Sequence, residues 1–277
     1  MIVQWRNERV LITGGSSGIG LAMAKRLAPT GATLALLARD TTRLHSARAS
    51  VAALQPPSAS PVSVVKCDVA DADAVAAYFE SARRTATIPT TVINAAGISR
   101  PGYFHELSGE TFVEAMAVNY FGIVNVLRHA VPAMMVARHG AILNVGSVAS
   151  LIGVFGMAPY CGSKFAVRGL TEALRSELLP HGIRVSLLCP PDTDTPMLAE
   201  EARHKPRETA ALSESAGVLS AATVAAAGLE GLVRGQAVIV PGWEARLTVL
   251  ASRLMPGIVE RVTRRIISRA GTSRART

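Results

Sequence analysis

One rhythm in this chain limits its fold more than any other feature. Seven short apolar or β-branched runs, at residues 10–13, 33–38, 62–67, 91–94, 141–146, 185–189 and 237–240, alternate with longer segments of helical periodicity. Those segments begin near Ile19, Thr42, Asp73, Glu110, Ala158 and Ala222. Most of the runs are apolar throughout rather than at every second residue, as in strands covered on both faces. Parallel strands joined by helices need right-handed crossovers. The pattern therefore predicts a doubly wound α/β fold, a mostly parallel seven-stranded sheet with helices on both faces. With 49% hydrophobic residues and a mean hydropathy of +0.30, the 277 residues can fill one large core. Residues 1–242 are expected to form that domain, with "QPPSASP" at 55–61 as a surface loop, and 243–277 to form a basic amphipathic extension.

Composition excludes several functions. Cys67, Cys161 and Cys189 are odd in number and far apart, and neither they nor the six histidines cluster, so no disulfide framework and no metal site are expected. The N-terminus has no apolar signal core, and no uncharged apolar run reaches the roughly 18 residues that span a bilayer. The expected compartment is the cytoplasm, with the tail able to lie on the inner face of a membrane. The net charge is +9, but from Trp243 onward eight arginines stand against two glutamates, which places two thirds of the excess in the last 35 residues. This is a charged tail and not a nucleic-acid face.

The first apolar run leads into "TGGSSGIG", Thr13 to Gly20. Gly14 permits the tight turn, Gly18 lets a pyrophosphate approach the backbone, and Gly20 allows close helix–strand packing. Ser16, Ser17 and Ile19 complete the turn, and the helix N-terminus behind it favours phosphate charge. Placed after a first strand and opening a helix, this is a dinucleotide site. Arg39 lies 19 residues beyond Gly20, where an acidic residue would hold the ribose hydroxyls of NAD. An arginine there pairs instead with the 2′-phosphate of NADP, so the expected cofactor is NADP(H), with Arg43 adding to the phosphate contact. Asp40 follows at once and keeps NAD as the alternative, but it is better read as the N-cap of the next helix.

Further motifs follow in order: "CDV" at 67–69, "NAAG" at 94–97, Asn119 in "AVNYFG", Ser147 in "NVGS" and "YCGSK" at 160–164. Taken together, the chain resembles the short-chain dehydrogenase/reductase family over roughly residues 8 to 242. The resemblance implies a Rossmann-type fold and hydride transfer between a nicotinamide and a carbonyl or alcohol. It also implies that Asp68 and Val69 contact adenine, and that Asn94, Ala95 and Gly97 support the cofactor. Further copies of the chain, in a dimer or tetramer, are its expected partners.

The same residues suit ketone reduction chemically. Tyr160 can donate a proton near neutral pH only if its pKa falls, and Lys164 lies one helical turn away. An ammonium about 4 Å off at an effective dielectric of ~20 is worth ~4 kcal/mol, or roughly 3 pKa units. Ser147 would hold the substrate oxygen, and Asn119 would anchor a water relaying protons to Lys164. A sensor or scaffold on this fold would lack the serine, tyrosine or lysine, so an enzyme is expected.

After the sixth run the family usually carries Pro-Gly, a threonine and a substrate loop. Here "PPDTDTP" keeps Pro190 but has Pro191 for the glycine. Pro190 and Thr195 are assigned to the nicotinamide, with Thr195 also capping a helix that has Pro196 in its first turn. This loop, with "AEE" and "KP-x-ET" at 205–209, is similar to that of the family's reductases of long-chain 3-keto sphingoid bases. The eukaryotic ones carry membrane-spanning segments where this chain has an arginine-studded tail. The resemblance implies a lipophilic ketone whose amine meets Asp192 or Asp194 and whose alkyl chain is covered by Met197 and Leu198. A steroid or 3-ketoacyl chain is the alternative. In the tail, Leu247, Leu250, Leu254, Ile258, Val262 and Ile266 recur every three to four residues, broken at Pro256 into two helices.

Overall fold

The computed structural model describes residues 5–214 and 217–272. Arg274 and Arg276 of the tail lie outside the described residues. The strands are β1 (Arg9–Thr13), β2 (Thr33–Ala38), β3 (Ser63–Lys66), β4 (Thr91–Asn94), β5 (Gly140–Val145), β6 (Ile183–Leu188), β7 (Thr193–Asp194), β8 (Leu219–Ser220) and β9 (Val238–Ile239). Seven of them form one parallel sheet in the order β3-β2-β1-β4-β5-β6-β9. The order reverses between β1 and β4, and ligands of open α/β sheets bind outside the carboxyl ends at such a switch.

The helices are α1 (Gly18–Leu27), α2 (Thr41–Ala52), α3 (Ala72–Arg84), α4 (Gly109–Met116), α5 (Gly122–Ala137), α6 (Ala158–Leu178), α7 (Pro196–Glu201), α8 (Arg207–Glu214), α9 (Ala221–Val233), α10 (Trp243–Leu254) and α11 (Pro256–Thr272). They make two cores, one on each face of the sheet. Val10 and Ile12 of β1 pack with Met23 and Leu27 of α1, Leu44 of α2 and Leu229 of α9. Leu11 between them faces the other way, toward Phe79 of α3, Val126 of α5 and Val167 of α6. Both faces being covered is why β4 and β5 are buried at every position and read as continuous apolar runs.

Two features were not foreseen. A π-turn, Ala117–Phe121, joins α4 to α5. By length and composition Gly109–Ala137 is apolar enough to cross a membrane, but Ile123, Val126, Ala130 and Met134 pack into the second core. Second, β7 and β8 form a separate two-stranded parallel ladder that ties the segment after β6 to the start of α9.

The tail forms two helices divided at Pro256, with α11 packed against α8. Its buried face is Ala245 and Val249, while Leu247, Leu250, Leu254, Ile258 and Val262 are all at least half exposed. The α10 part of the expected stripe, Leu247, Leu250 and Leu254, thus points outward, with Ala245 and Val249 supplying the inner packing.

Candidate active site

A cavity of about 970 Å³ opens at the carboxyl ends of β1, β4, β5 and β6. At one end Gly14, Ser16, Ser17, Gly18, Ile19 and Gly20 line it. Gly14 has φ +65°, and a Cβ there would lie 2.8 Å from the Ala95 carbonyl oxygen, so the turn closes against β4 only because the side chain is absent. Ser17 is the N-cap of α1, yet its side chain makes no capping hydrogen bond, and the first turn holds no acid. The unpaired amides of that helix end thus face the cavity ready for an anion. Arg39, Arg43, Asp68 and Val69 continue the wall. Arg39 stands 3.8 Å from Asp68, and Arg43 stands 3.3 Å from Asp40, whose carboxylate caps α2 by accepting from the Arg43 amide. Both guanidiniums are more than half exposed, so a phosphate can displace these loose pairs. The donor set and the bare glycine turn fit a dinucleotide with a further phosphate.

Ala95 and Gly97 also line the cavity, but Asn94 does not. Its amide donates to Asn144 across the β4–β5 register at 2.8 Å, and Asn144 donates to Thr171 of α6 at 3.0 Å. Asn94 therefore acts within the sheet, fixing β5 to the helix that carries Tyr160 and Lys164.

At the other end Ser147, Tyr160 and Lys164 come together. Ser147 follows β5 and caps a short turn, accepting from the Ala149 amide at 3.1 Å, while its own hydroxyl reaches the Pro190 carbonyl at 3.5 Å. Lys164 is 5% exposed, donates to the Val145 carbonyl at 2.8 Å, and lies 5.6 Å from the Tyr160 ring centre. Burial pushes its pKa down to about 8. The Tyr160 phenol moves opposite to the sequence expectation: burial, then the Glu201 carboxylate, raise it, against a lowering hydrogen bond with Ser147. Desolvation, left out of the simple Coulomb argument, is the largest cause. Asn119 lies behind this group, in the π-turn and fully buried. Its Nδ2 donates to Ile98 O and Ser163 Oγ, and its Oδ1 accepts from Ile98 N, which leaves one lone pair. A Cβ on Gly97 would lie 3.1 Å from that oxygen and 3.6 Å from Lys164 Nζ, so glycine keeps a gap between the two.

Pro190, Pro191, Asp192, Thr195, Met197 and Leu198 form the next wall. Thr195 approaches the glycine turn closely, its Cγ2 being 3.1 Å from a Cβ built on Gly18. It also caps α7, accepting from the Leu198 amide at 3.4 Å with Pro196 in the first turn. The two aspartates part company. Asp192 lines the cavity and pairs with Lys205 at 3.3 Å. Asp194 is exposed on β7 and is not part of the cavity wall. The expectation that Asp194 meets a substrate amine is therefore not met; Glu201, an acid that sequence reasoning passed over, is 7% exposed and lines the cavity. Phe155, Met157, Ile258, Val262 and Ile266 add an apolar end, so the tail helices close the cavity.

A nucleotide-sized groove, a Ser/Tyr/Lys group and an apolar end define an oxidoreductase of the ketone/alcohol class on a doubly wound sheet. Residues 8–206 match the family model for short chain dehydrogenases, and the chain belongs to that family. The chain is 39% identical over 227 residues to a 3-dehydrosphinganine reductase of Danio rerio (82% of this chain, 68% of that one), and 34% identical over 275 residues to a 3-ketodihydrosphingosine reductase of Dictyostelium discoideum (91% and 79%). A putative ketoacyl reductase of granaticin polyketide synthesis in Streptomyces violaceoruber is 35% identical over 196 residues (70% and 71%). Among solved structures, levodione reductase superposes with a TM-score of 0.79 at 26% identity (87% and 99%). A short-chain dehydrogenase from Sphingobium yanoikuyae in complex with NADPH gives 0.75 at 29% (90% and 94%).

Proposed function

We propose that this enzyme reduces a long-chain lipophilic ketone with NADPH, and that the ketone is 3-ketodihydrosphingosine. The observation that carries the reading is one cavity with the glycine turn and Arg39 at one end, Ser147 and Tyr160 in the middle, and an apolar wall of tail residues at the other. Bound NADPH supplies the hydride to the carbonyl carbon. Ser147 and Tyr160 hold the carbonyl oxygen, and Tyr160 donates the proton. Lys164 compensates the phenolate as it forms, which is when a nearby cation counts most. The free lone pair of Asn119 Oδ1 is available to a water reaching Lys164. Arg39 and Arg43 take the 2′-phosphate, and Met197 and Leu198 cover the alkyl chain.

A 3-ketoacyl substrate is the second reading, favoured by the likeness to the granaticin ketoacyl reductase. Loss of NADPH absorbance with 3-ketodihydrosphingosine against a matched 3-ketoacyl thioester separates the two; faster turnover of the thioester would reverse the order. The outward leucines of α10, flanked by the exposed Arg253, Arg261, Arg264 and Arg265, support a peripheral seat on an anionic bilayer beside the apolar end of the cavity.

A further inference from the structure

The motif "KP-x-ET", Lys205 to Thr209, has no chemical part in the reduction described above, yet every side chain it names is engaged. Lys205 stands in the link between α7 and α8. Its Nζ is 3.3 Å from Glu201 Oε2 in α7, 3.3 Å from Asp192 Oδ2 after β6, and it donates to Ser213 Oγ in α8 at 3.0 Å. Glu208 accepts from the Tyr103 hydroxyl at 2.9 Å, in the segment after β4, and Thr209 donates to the Phe155 carbonyl at 2.9 Å, in the segment before α6. Pro206 fills the space left by Gly156, where a Cβ would lie 2.9 Å from Pro206 Cγ.

A lysine in a link is ordinarily solvated, but this side chain is only 7% exposed. An ammonium has three protons, and here it has three partners. Lys205 and the equally buried Glu201 neutralise each other, while Asp192 is 30% exposed and keeps contact with water. These bonds offset the desolvation of the ammonium only while Asp192, α7 and α8 keep their mutual places. Lys205 thus makes one unit of the excursion between β6 and α8, and Glu208 and Thr209 fasten that unit to two loops of the body.

A second observation shows what the unit carries. A Cβ built on Gly97 would lie 3.1 Å from Asn119 Oδ1, 3.6 Å from Lys164 Nζ and 3.8 Å from Met197 Cε, so the tip of Met197 borders the group around Lys164. Met197 and Glu201 are four residues apart on the six-residue α7 and share a face. Any shift at Glu201, the residue that Lys205 holds, passes along one short helix to Met197.

We propose that Lys205 is a positioning residue: with Glu208 and Thr209 it latches α7 against the cavity and thereby sets Met197 where the substrate is held. The inference rests on the reductase reading and adds to it the residue that fixes the substrate wall.

The test is a cycle between the latch and the residue it places. Lys205→Met should lower kcat/KM for 3-ketodihydrosphingosine roughly ten- to a hundred-fold in the wild type, through the loss of charge-assisted bonds. In a Met197→Ala background the same change should cost less than about threefold, because the side chain it positions is gone. Equal costs in both backgrounds would show that Lys205 only stabilises the fold and would overturn the proposal. Lys205→Met leaves Glu201 buried without its partner, so Ser213→Ala, which keeps both charges, is measured alongside. It should cost about fivefold alone, the loss of one neutral hydrogen bond, and again nearly nothing with Met197→Ala. A further arm needs no turnover. Arg203 and Arg207 flank the latch and are exposed, and native-state trypsin cleavage there should quicken about fivefold in Ser213→Ala, because the same bond holds the excursion closed. Unchanged cleavage overturns the latch. Faster cleavage in the variant, with no ketone turned over by the wild type, sinks the reductase reading and leaves the latch.

Discussion

The side-chain amide of Asn119 clamps the backbone of Ile98 from both sides: Oδ1 accepts from its N–H at 2.8 Å, and Nδ2 donates to its carbonyl at 3.0 Å. The segment after β4 thereby takes its place beside Gly97 and the cavity. The clamp is buried, so removing it leaves the Ile98 amide without a partner. Asn119→Ala should cost about 3 kcal/mol and lower Tm by roughly 6–12 °C. Ser163→Ala, which removes one of the three bonds, should cost about 1 kcal/mol. Thermal denaturation of both variants checks this; equal small shifts would mean the clamp is not structural.

The cofactor preference depends on Arg39. Losing a charge-assisted phosphate bond costs about 1.5–3 kcal/mol, so Arg39→Ala should weaken NADPH roughly ten- to a hundred-fold and leave NADH within about threefold. Titrations with both cofactors measure this. Equal losses would show that Arg39 does not read the 2′-phosphate.

Lys164 gives a pH signature. Its pKa is about 8 when folded and 10.5 ordinarily. Below pH 8 it is charged in both states; between the two values it keeps its proton only when unfolded. The unfolded chain then binds more protons, so Lys164 makes stability rise with pH across that window, by on the order of 3 kcal/mol in all. Lys164→Met should lose this rise. Denaturant unfolding at several pH values from 7 to 10 compares the two, and parallel curves would mean the ammonium is not desolvated.

The tail offers a surface test. The protein should float with anionic vesicles at low salt and be released as salt rises, and Leu250→Ser with Leu254→Ser should weaken flotation. Both leucines lie outside the cavity wall, so turnover of a water-soluble ketone should be unchanged. Flotation equal on neutral and anionic vesicles would remove the arginines from the account.

Much of the frame was legible in the sequence. The runs at 33–38 and 91–94 coincide with β2 and β4, and the six expected helix starts fall within one residue of those observed. Buried parallel strands are apolar on both faces, and acids such as Asp40 and Asp71 mark the helix starts by capping them. What escaped depended on three dimensions. The two-residue β7 and β8 are too short to carry a period and pair across more than 20 residues. Glu200 and Glu201 are adjacent and alike in sequence, yet α7 turns the first to solvent and the second inward. The direction of the Tyr160 shift was missed because the proximity of Tyr160 and Lys164 is written in their spacing, whereas the burial that raises the phenol is not.

The central claim is that Tyr160 is the proton donor in NADPH-driven ketone reduction. The most direct measurement is single-turnover oxidation of bound NADPH by 3-ketodihydrosphingosine in the wild type and in Tyr160→Phe, with NADPH affinity measured alongside. The account predicts that the variant binds NADPH within about threefold of the wild type and that its rate falls roughly 10²–10⁴-fold. A variant that binds NADPH normally and oxidises it at close to the wild-type rate would contradict the account.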